Sequence, residues 1–315
     1  MPRDELAILR SVLYSSLFEY PLTLAELRRT LLESTRDEAG ILRSYQSSAW
    51  LQSLVELRDG WFFPRGRSAW IAGRQQREVR SLALLDRNRL LLKSICALPF
   101  IRLVALSGSV AALNADSRAD LDLFIVTRGR TAWSITLGVV VLARLLRRRR
   151  ILCANFVMSD SRLALEQQDL FSASQVIHLR PLVGAETYRA FLAANPFVRQ
   201  LYPNFVAGED RAFPMEPGAV LRGLKAVLEA LLAGPAIALE PMCRAIYGRH
   251  LRRRARSWQS PAQVRLTSDC LKLHTRSHRT TVLDRFERLC SEALRSTTRA
   301  APGARNSKRQ ATVSS

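Results

Sequence analysis

Leu106-Ser107-Gly108-Ser109 and, after ten intervening residues, Asp120-Leu121-Asp122-Leu123 form the stretch whose reading decides the fold. The approach, Ile101-Arg102-Leu103-Val104-Ala105-Leu106, is short, apolar and β-branched enough to predict a buried strand, and Gly108 permits a tight turn at its end. Val110-Ala111-Ala112-Leu113 continues with helix formers. A helix is expected there, with its free first-turn N–H groups and the Ser109 hydroxyl placed to hold a phosphate against the positive end of the helix dipole. After the polar loop at residues 114–119, Asp120-Leu121-Asp122-Leu123-Phe124-Ile125-Val126 alternates with a period of two. Asp120 and Asp122 thereby share one face, while Leu121, Leu123 and Ile125 share the other.

Two like charges side by side next to a hydrophobic core require a compensating cation or a strongly solvated rim. Mg²⁺ suits such a place, because it takes one or two carboxylates together with phosphate oxygens and water. It also neutralises the charge that develops when a phosphoryl or nucleotidyl group is transferred. A Gly-Ser pair alone marks an ordinary turn. A calcium loop starting at Asp116 does not fit, since Leu121 stands where such a loop needs glycine and Thr127 where it needs glutamate.

The Gly108-Ser109 turn with its spaced Asp120-Leu121-Asp122 strand resembles the signature of the DNA-polymerase-β-type nucleotidyltransferase superfamily. Leu106-Ser107-Gly108-Ser109-Val110-Ala111, Asp122-Leu123-Phe124-Ile125-Val126-Thr127, Asn195-Pro196-Phe197 and Tyr202-Pro203-Asn204 further resemble an uncharacterised bacterial group within it, over most of residues 5–290. The resemblance implies that Gly108 and Ser109 bind the triphosphate of an NTP, ATP being the first expectation, and that Asp120 and Asp122 bind two Mg²⁺ ions. It names no acceptor.

One departure bears on the chemistry. The superfamily commonly places a third carboxylate on the next strand, where it helps the second metal and serves as base toward the attacking hydroxyl. Here that strand is expected at Ile151–Met158, and it holds neither Asp nor Glu. Asn155 is its one side chain suited to a hard cation, and is therefore carried as the third catalytic position beside Asp120 and Asp122. Glu166 and Asp169 could replace it only if the chain folds back.

The chain has 315 residues and is 48% hydrophobic, enough for two or three small domains with real cores. A formal charge of +21, mostly from arginine, suggests a polyanionic partner, and the runs Arg147–Arg150 and Arg252–Arg254 with Arg256 concentrate it. The five cysteines are dispersed and lack C-x-x-C spacing, which argues for a reducing, cytoplasmic setting and against a zinc cluster. The amino terminus lacks the apolar core of a signal peptide. Ile135–Leu146 is too short for a membrane span, which needs about 20 residues, and reads as the crossover helix of the sheet.

The expected fold class is α/β, with a small mixed-sheet nucleotidyltransferase domain at residues 76–205. A winged-helix-like domain at 1–75 precedes it; a helical region at 206–298 and a disordered tail at 299–315 follow. In the first unit Leu6, Leu9, Val12, Leu13 and Leu17 follow helical spacing, Thr23-Leu24-Ala25-Glu26 is a capping box, and a third helix at 44–57 leads into a hairpin turning at Asp59-Gly60. Its third helix is poor in arginine, while Arg65, Arg67, Arg74, Arg77 and Arg80 lie in and after the wing, favouring protein docking or internal packing slightly over DNA reading. The helix Gln76–Ala97 should enter the catalytic domain. Leu170-Phe171-Ser172-Ala173 and Tyr188–Leu201 should close one edge of its cleft, with His178 and Arg180 available to phosphate or acceptor. In the carboxyl region the apolar stripe around Leu224 and Leu231 is read as a buried helix, broken at Gly234-Pro235. His274 and His278 lie four apart but lack a third ligand.

Two functions follow as expectations. The first is a metal-dependent nucleotidyltransferase that moves an NMP group to an acceptor hydroxyl. The second is a degenerate nucleotide sensor that contacts DNA or a protein through its amino-terminal module.

Overall fold

The computed structural model describes residues 3–209, 212–273 and 277–299, and is a mixed α/β structure. The amino-terminal part runs α1 (Arg3–Ser16), β1 (Leu22–Thr23), α2 (Leu24–Arg29), α3 (Glu38–Ser47), α4 (Ala49–Leu54), β2 (Val55–Arg58) and β3 (Trp61–Pro64). β3 lies between β1 and β2, antiparallel to both. The capping box starts α2 as anticipated: Thr23 accepts from the Glu26 backbone N–H, and the Glu26 carboxylate accepts from that of Thr23. Asp59 and Gly60 both have positive φ (52° and 80°), the backbone that lets a two-residue turn follow the twist of its strands.

The expected helix at 44–57 is instead two short helices and a strand. The Ser48 hydroxyl caps a fresh helix by accepting from Leu51 N–H, and the β-branched, fully buried Val55 then enters the sheet opposite Pro64. The expected helix 76–97 is likewise divided into α5 (Trp70–Arg87) and α6 (Arg89–Cys96). Between them the Asn88 side chain donates back to the Leu84 carbonyl, the local bond through which asparagine competes with a helix.

The sheet that carries the motif follows. Its elements are β4 (Ile101–Ser107), α7 (Gly108–Ala111), β5 (Leu121–Thr127), α8 (Ala132–Leu145), β6 (Leu152–Ser159), α9 (Leu170–Ile177) and β7 (Arg180–Val183). Helices α10 (Ala185–Ala193), α11 (Phe197–Leu201) and α12 (Ala219–Arg254), strands β8 (Val264–Leu266) and β9 (Cys270–Leu273), and α13 (Arg279–Arg299) complete the chain. The six strands run β7-β4-β5-β6-β9-β8. Only β5 and β6 are parallel, joined by the crossover helix α8, as parallel neighbours require. Leu121, Leu123 and Ile125 pack with Trp133 and Val139 of α8, whereas Phe124 and Val126 face a second core.

Two features of the carboxyl region differ from the expected all-helical stretch. β8 and β9 extend the sheet, because Leu271 and Cys270 continue the β6 ladder opposite Val157 and Met158. The 36-residue α12 runs through Pro235 and Pro241, and its apolar stripe is largely exposed rather than buried. Its attachments on either side of Pro235, made by Glu229 and Glu240, hold the axis across the missing backbone donor. His274 and the tail beyond Arg299 lie outside the described residues.

The amino-terminal unit is not separately cored. Ile8, Leu27, Leu51 and Phe62 belong to the same cluster as Leu103, Phe124 and Phe191. Polar ties reinforce the join: Glu33 N–H donates to Leu201 O at 2.9 Å, the buried Arg29 to Ile177 O at 3.1 Å, and Asn204 to Arg28 O at 3.0 Å.

Candidate active site

Asp122 is the second residue of β5, paired across the sheet with Ser107 of β4 on one side and Cys153 of β6 on the other. Asp120 stands just before the strand and is exposed. Gly108 closes β4 with φ +67°, and a Cβ there would run into Asp122 Oδ2. The left-handed backbone favours glycine, and any side chain there would push the Asp122 carboxylate aside. Ser109 follows, exposed at the start of α7. That helix is a single four-residue turn, shorter than the motif suggested, so an anion there would depend on individual N–H groups and the Ser109 hydroxyl rather than on a long macrodipole.

β6 completes the cluster through a register shift. Asp122 pairs with Cys153 but Phe124 pairs with Phe156, so β6 holds two residues where β5 holds one. Such a bulge re-aims side chains. Cys153, Asn155 and Phe156 all reach the Asp122 side: Asn155 Nδ2 donates to Asp122 Oδ1, the Cys153 thiol donates to Asn155 Oδ1 at 2.6 Å, and Phe156 meets Phe124 edge to face at 5.3 Å. One ligand atom from each of Asp120, Asp122 and Cys153 lies within 4.8 Å of the others.

Burial pushes the Asp122 carboxyl up to about 7, the neighbouring Asp120 pushes it the same way, and the Asn155 hydrogen bond opposes both. Asp120 is raised by burial and by Asp116, against a backbone hydrogen bond. Burial and then the two carboxylates lift the Cys153 thiol to about 12, which keeps it protonated. Two adjacent carboxylates with ligand atoms this close could hold a divalent ion. The hard oxygens fit Mg²⁺; the protonated, soft Cys153 sulfur does not, and acts as a hydrogen-bond donor.

On the same face of the sheet, farther along β5, lies a cavity of about 300 Å³ that neither Asp120 nor Asp122 lines. Ser107, Phe124, Phe156 and Met158 form its sheet wall, Phe171, Val176 and Phe191 its apolar floor, and Lys272 and Arg279 part of its rim. Phe124 is two residues along β5 from Asp122, about 7 Å of strand. Lys272 donates to Gln167 Oε1 at 2.7 Å, and burial lowers its affinity for the proton.

Gly108, Asp120 and Asn155 lie around Asp122, and Ser109 follows Gly108 at the exposed start of α7. Asn155 meets the site through its amide nitrogen, not the oxygen that would hold a metal. Glu166 pairs with Arg162 and Arg265, and Asp169 caps α9 while pairing with Arg279, so neither reaches the carboxylate pair. Arg180 turns inward to the Ala111 carbonyl, and His178 Nδ1 lies 2.7 Å from Ser174 O. Phe171 and Ser172 border the neighbouring cavity. Sequence reasoning passed over Cys153 and Lys272. The period-two pattern of β6 places Cys153 on the face of Asn155, whereas Lys272 gave no local signal because its strand joins the sheet from more than a hundred residues away. No family model, curated protein or solved structure matches the chain.

Proposed function

We propose that the protein is a metal-dependent nucleotidyltransferase of the DNA-polymerase-β type, with its nucleotidyltransferase sheet at β4–β7 and a winged-helix-like module before it. The observation that carries this reading is the Asp120–Asp122 pair, gathered with Cys153 so that their ligand atoms lie within 4.8 Å of one another, beside Gly108 with its left-handed backbone. Asp120 and Asp122 would hold Mg²⁺, which when bound offsets the charge on the triphosphate of the NTP, ATP being the first candidate. Ser109 and the adjoining N–H groups receive phosphate oxygens. Asn155 fixes the orientation of Asp122. An acceptor hydroxyl oxygen bonds to the α-phosphorus, the bond from that phosphorus to its bridging oxygen breaks, pyrophosphate leaves with the electron pair, and the hydroxyl proton passes to solvent. The cavity beside Phe124 receives the acceptor, and its phenylalanine floor and Lys272 favour an apolar molecule with an anionic group.

The winged-helix-like module is assigned to internal packing. Arg74 lies 3.9 Å from the Tyr20 ring centroid and 4.4 Å from that of Trp61, and pairs with Glu26; Arg77 bonds Asn114 in the loop after α7. Arg74 is thus committed to contacts with Tyr20, Glu26 and Trp61, and Arg77 ties α5 to the loop after α7, while Arg65, Arg67 and Arg80 are exposed.

The test is pyrophosphate release from each of the four NTPs with Mg²⁺ and a panel of hydroxyl acceptors carrying a carboxylate or phosphate. Metal-dependent release that Asp122→Asn abolishes supports transfer. Release unchanged in that variant sinks it. A second reading, nucleotide sensing without transfer, is favoured by the neutral Asn155 at the third carboxylate position; metal-dependent NTP binding with no release across the panel would select it.

A further inference from the structure

α12 is assembled inside out. Its two acidic residues, Glu229 and Glu240, are only 6% and 7% exposed, while Val220, Leu231 and Ile246 are 85%, 69% and 58% exposed. Each glutamate has a protein partner that accounts for its burial. Glu229 accepts from Phe100 N–H at 2.7 Å and lies 3.3 Å from Arg102. Glu240 accepts from Trp133 and Ser134 N–H at 2.6 and 2.9 Å, satisfying donors of the first turn of α8 that no helical carbonyl reaches. The opposite face carries Leu224, Val227 and Leu231, then Leu239, Met242 and Ile246, each set at i, i+3 and i+7, all exposed. Among the described residues α12 is the helix long and apolar enough to cross a membrane, and of its most apolar 18-residue window only 11% is buried.

We infer that this face lies on an anionic lipid surface. Charge selects that occupant. The exposed arginines Arg249, Arg252, Arg253 and Arg254 follow the apolar face directly, and the end of α8 brings Arg144, Arg147 and Arg150 together with exposed Leu145 and Leu146. Val139, Ala143, Arg149 and Tyr247 line one small pocket, which puts the two basic ends side by side. An apolar helical face bordered by arginine is the pattern of a helix seated at the headgroup level of an acidic bilayer. A second copy of the chain would oppose these arginines with its own, and its charge of +21 with another +21. The helix lies on the bilayer and does not span it. The two glutamates pin it lengthwise to the catalytic sheet at points eleven residues apart, about 16 Å of helix. Spanning would strip both carboxylates of their partners.

The experiment is co-sedimentation of the full chain with vesicles of phosphatidylcholine containing about 30% phosphatidylserine, against phosphatidylcholine alone. Binding to the acidic vesicles is expected, weakened about tenfold or more by Leu231→Glu with Met242→Glu, and separately by Arg252→Glu with Arg253→Glu. These positions are exposed, and a circular dichroism melt matching the parent chain identifies folded variants. Release of bound protein by high salt is expected of a surface-seated helix. Absence of binding, binding indifferent to Leu231→Glu with Met242→Glu, or retention through high salt and alkaline carbonate each overturns the inference. A concentration-dependent dimer that Leu231→Glu with Met242→Glu dissociates, without vesicle binding, assigns the face to a second copy instead.

Discussion

At the scale of single residues the site is a conflict between charge and burial. Asp122 binds its proton more tightly in the fold than in the unfolded chain, at about 7 against an ordinary value near 3.8. Its contribution to stability is therefore complete below pH about 3.8 and is lost as pH rises through about 7, each tenfold change in proton affinity being worth about 1.4 kcal/mol. Asp122→Asn, which cannot ionise, should gain stability relative to the parent over that range when metal is chelated, and urea unfolding on both sides of it measures the gain. A pH-independent difference would contradict the assigned burial. Gly108→Ala should destabilise by about 1–2 kcal/mol from its left-handed backbone alone. It should also abolish Mg²⁺-dependent stabilisation, because the new methyl displaces Asp122. Asn155→Asp replaces the donated hydrogen bond with a third charge. It should lower the melting temperature of the metal-free protein and enlarge the rise on adding Mg²⁺; a rise no larger than the parent's would place residue 155 outside the metal's reach.

Elements differ in how much of them the sequence disclosed. β5 was legible because alternation at its start separates Asp120 and Asp122 from Leu121 and Leu123, and an apolar, β-branched run continues the strand. The capping box of α2 and the Asp59-Gly60 turn were legible for the same reason: their chemistry is local. The β6 bulge, the breaks at Ser48 and Asn88, and the addition of β9 were not, since each depends on side-chain bonds or on pairing distant in sequence. α12 misled most, because a run of leucine and alanine reads as core until its two glutamates are seen to be the buried side. Glu240 holds the start of α8, and hydrogen bonds from N–H groups to a charged acceptor are worth about 1.5–3 kcal/mol. Glu240→Ala should cost about that much in chemical denaturation; a cost near zero would mean that α12 does not anchor α8.

For the whole molecule, the shared core joins the amino-terminal unit to the six-stranded sheet and its helices. A chain lacking residues 1–75 should lose cooperative unfolding, since Leu103, Phe124 and Phe191 would lose the cluster that covers them; a sharp two-state melt would show the units to be independent. The proposed function requires Asp120, Asp122 and Gly108 to form a metal and nucleotide site. Electron paramagnetic resonance of Mn²⁺ titrated into the full chain, with and without a non-hydrolysable ATP analogue, tests it. Bound Mn²⁺ is expected, held more tightly with the analogue present and lost in Asp122→Asn. Equal Mn²⁺ binding by the parent and Asp122→Asn, or none by either, would contradict it.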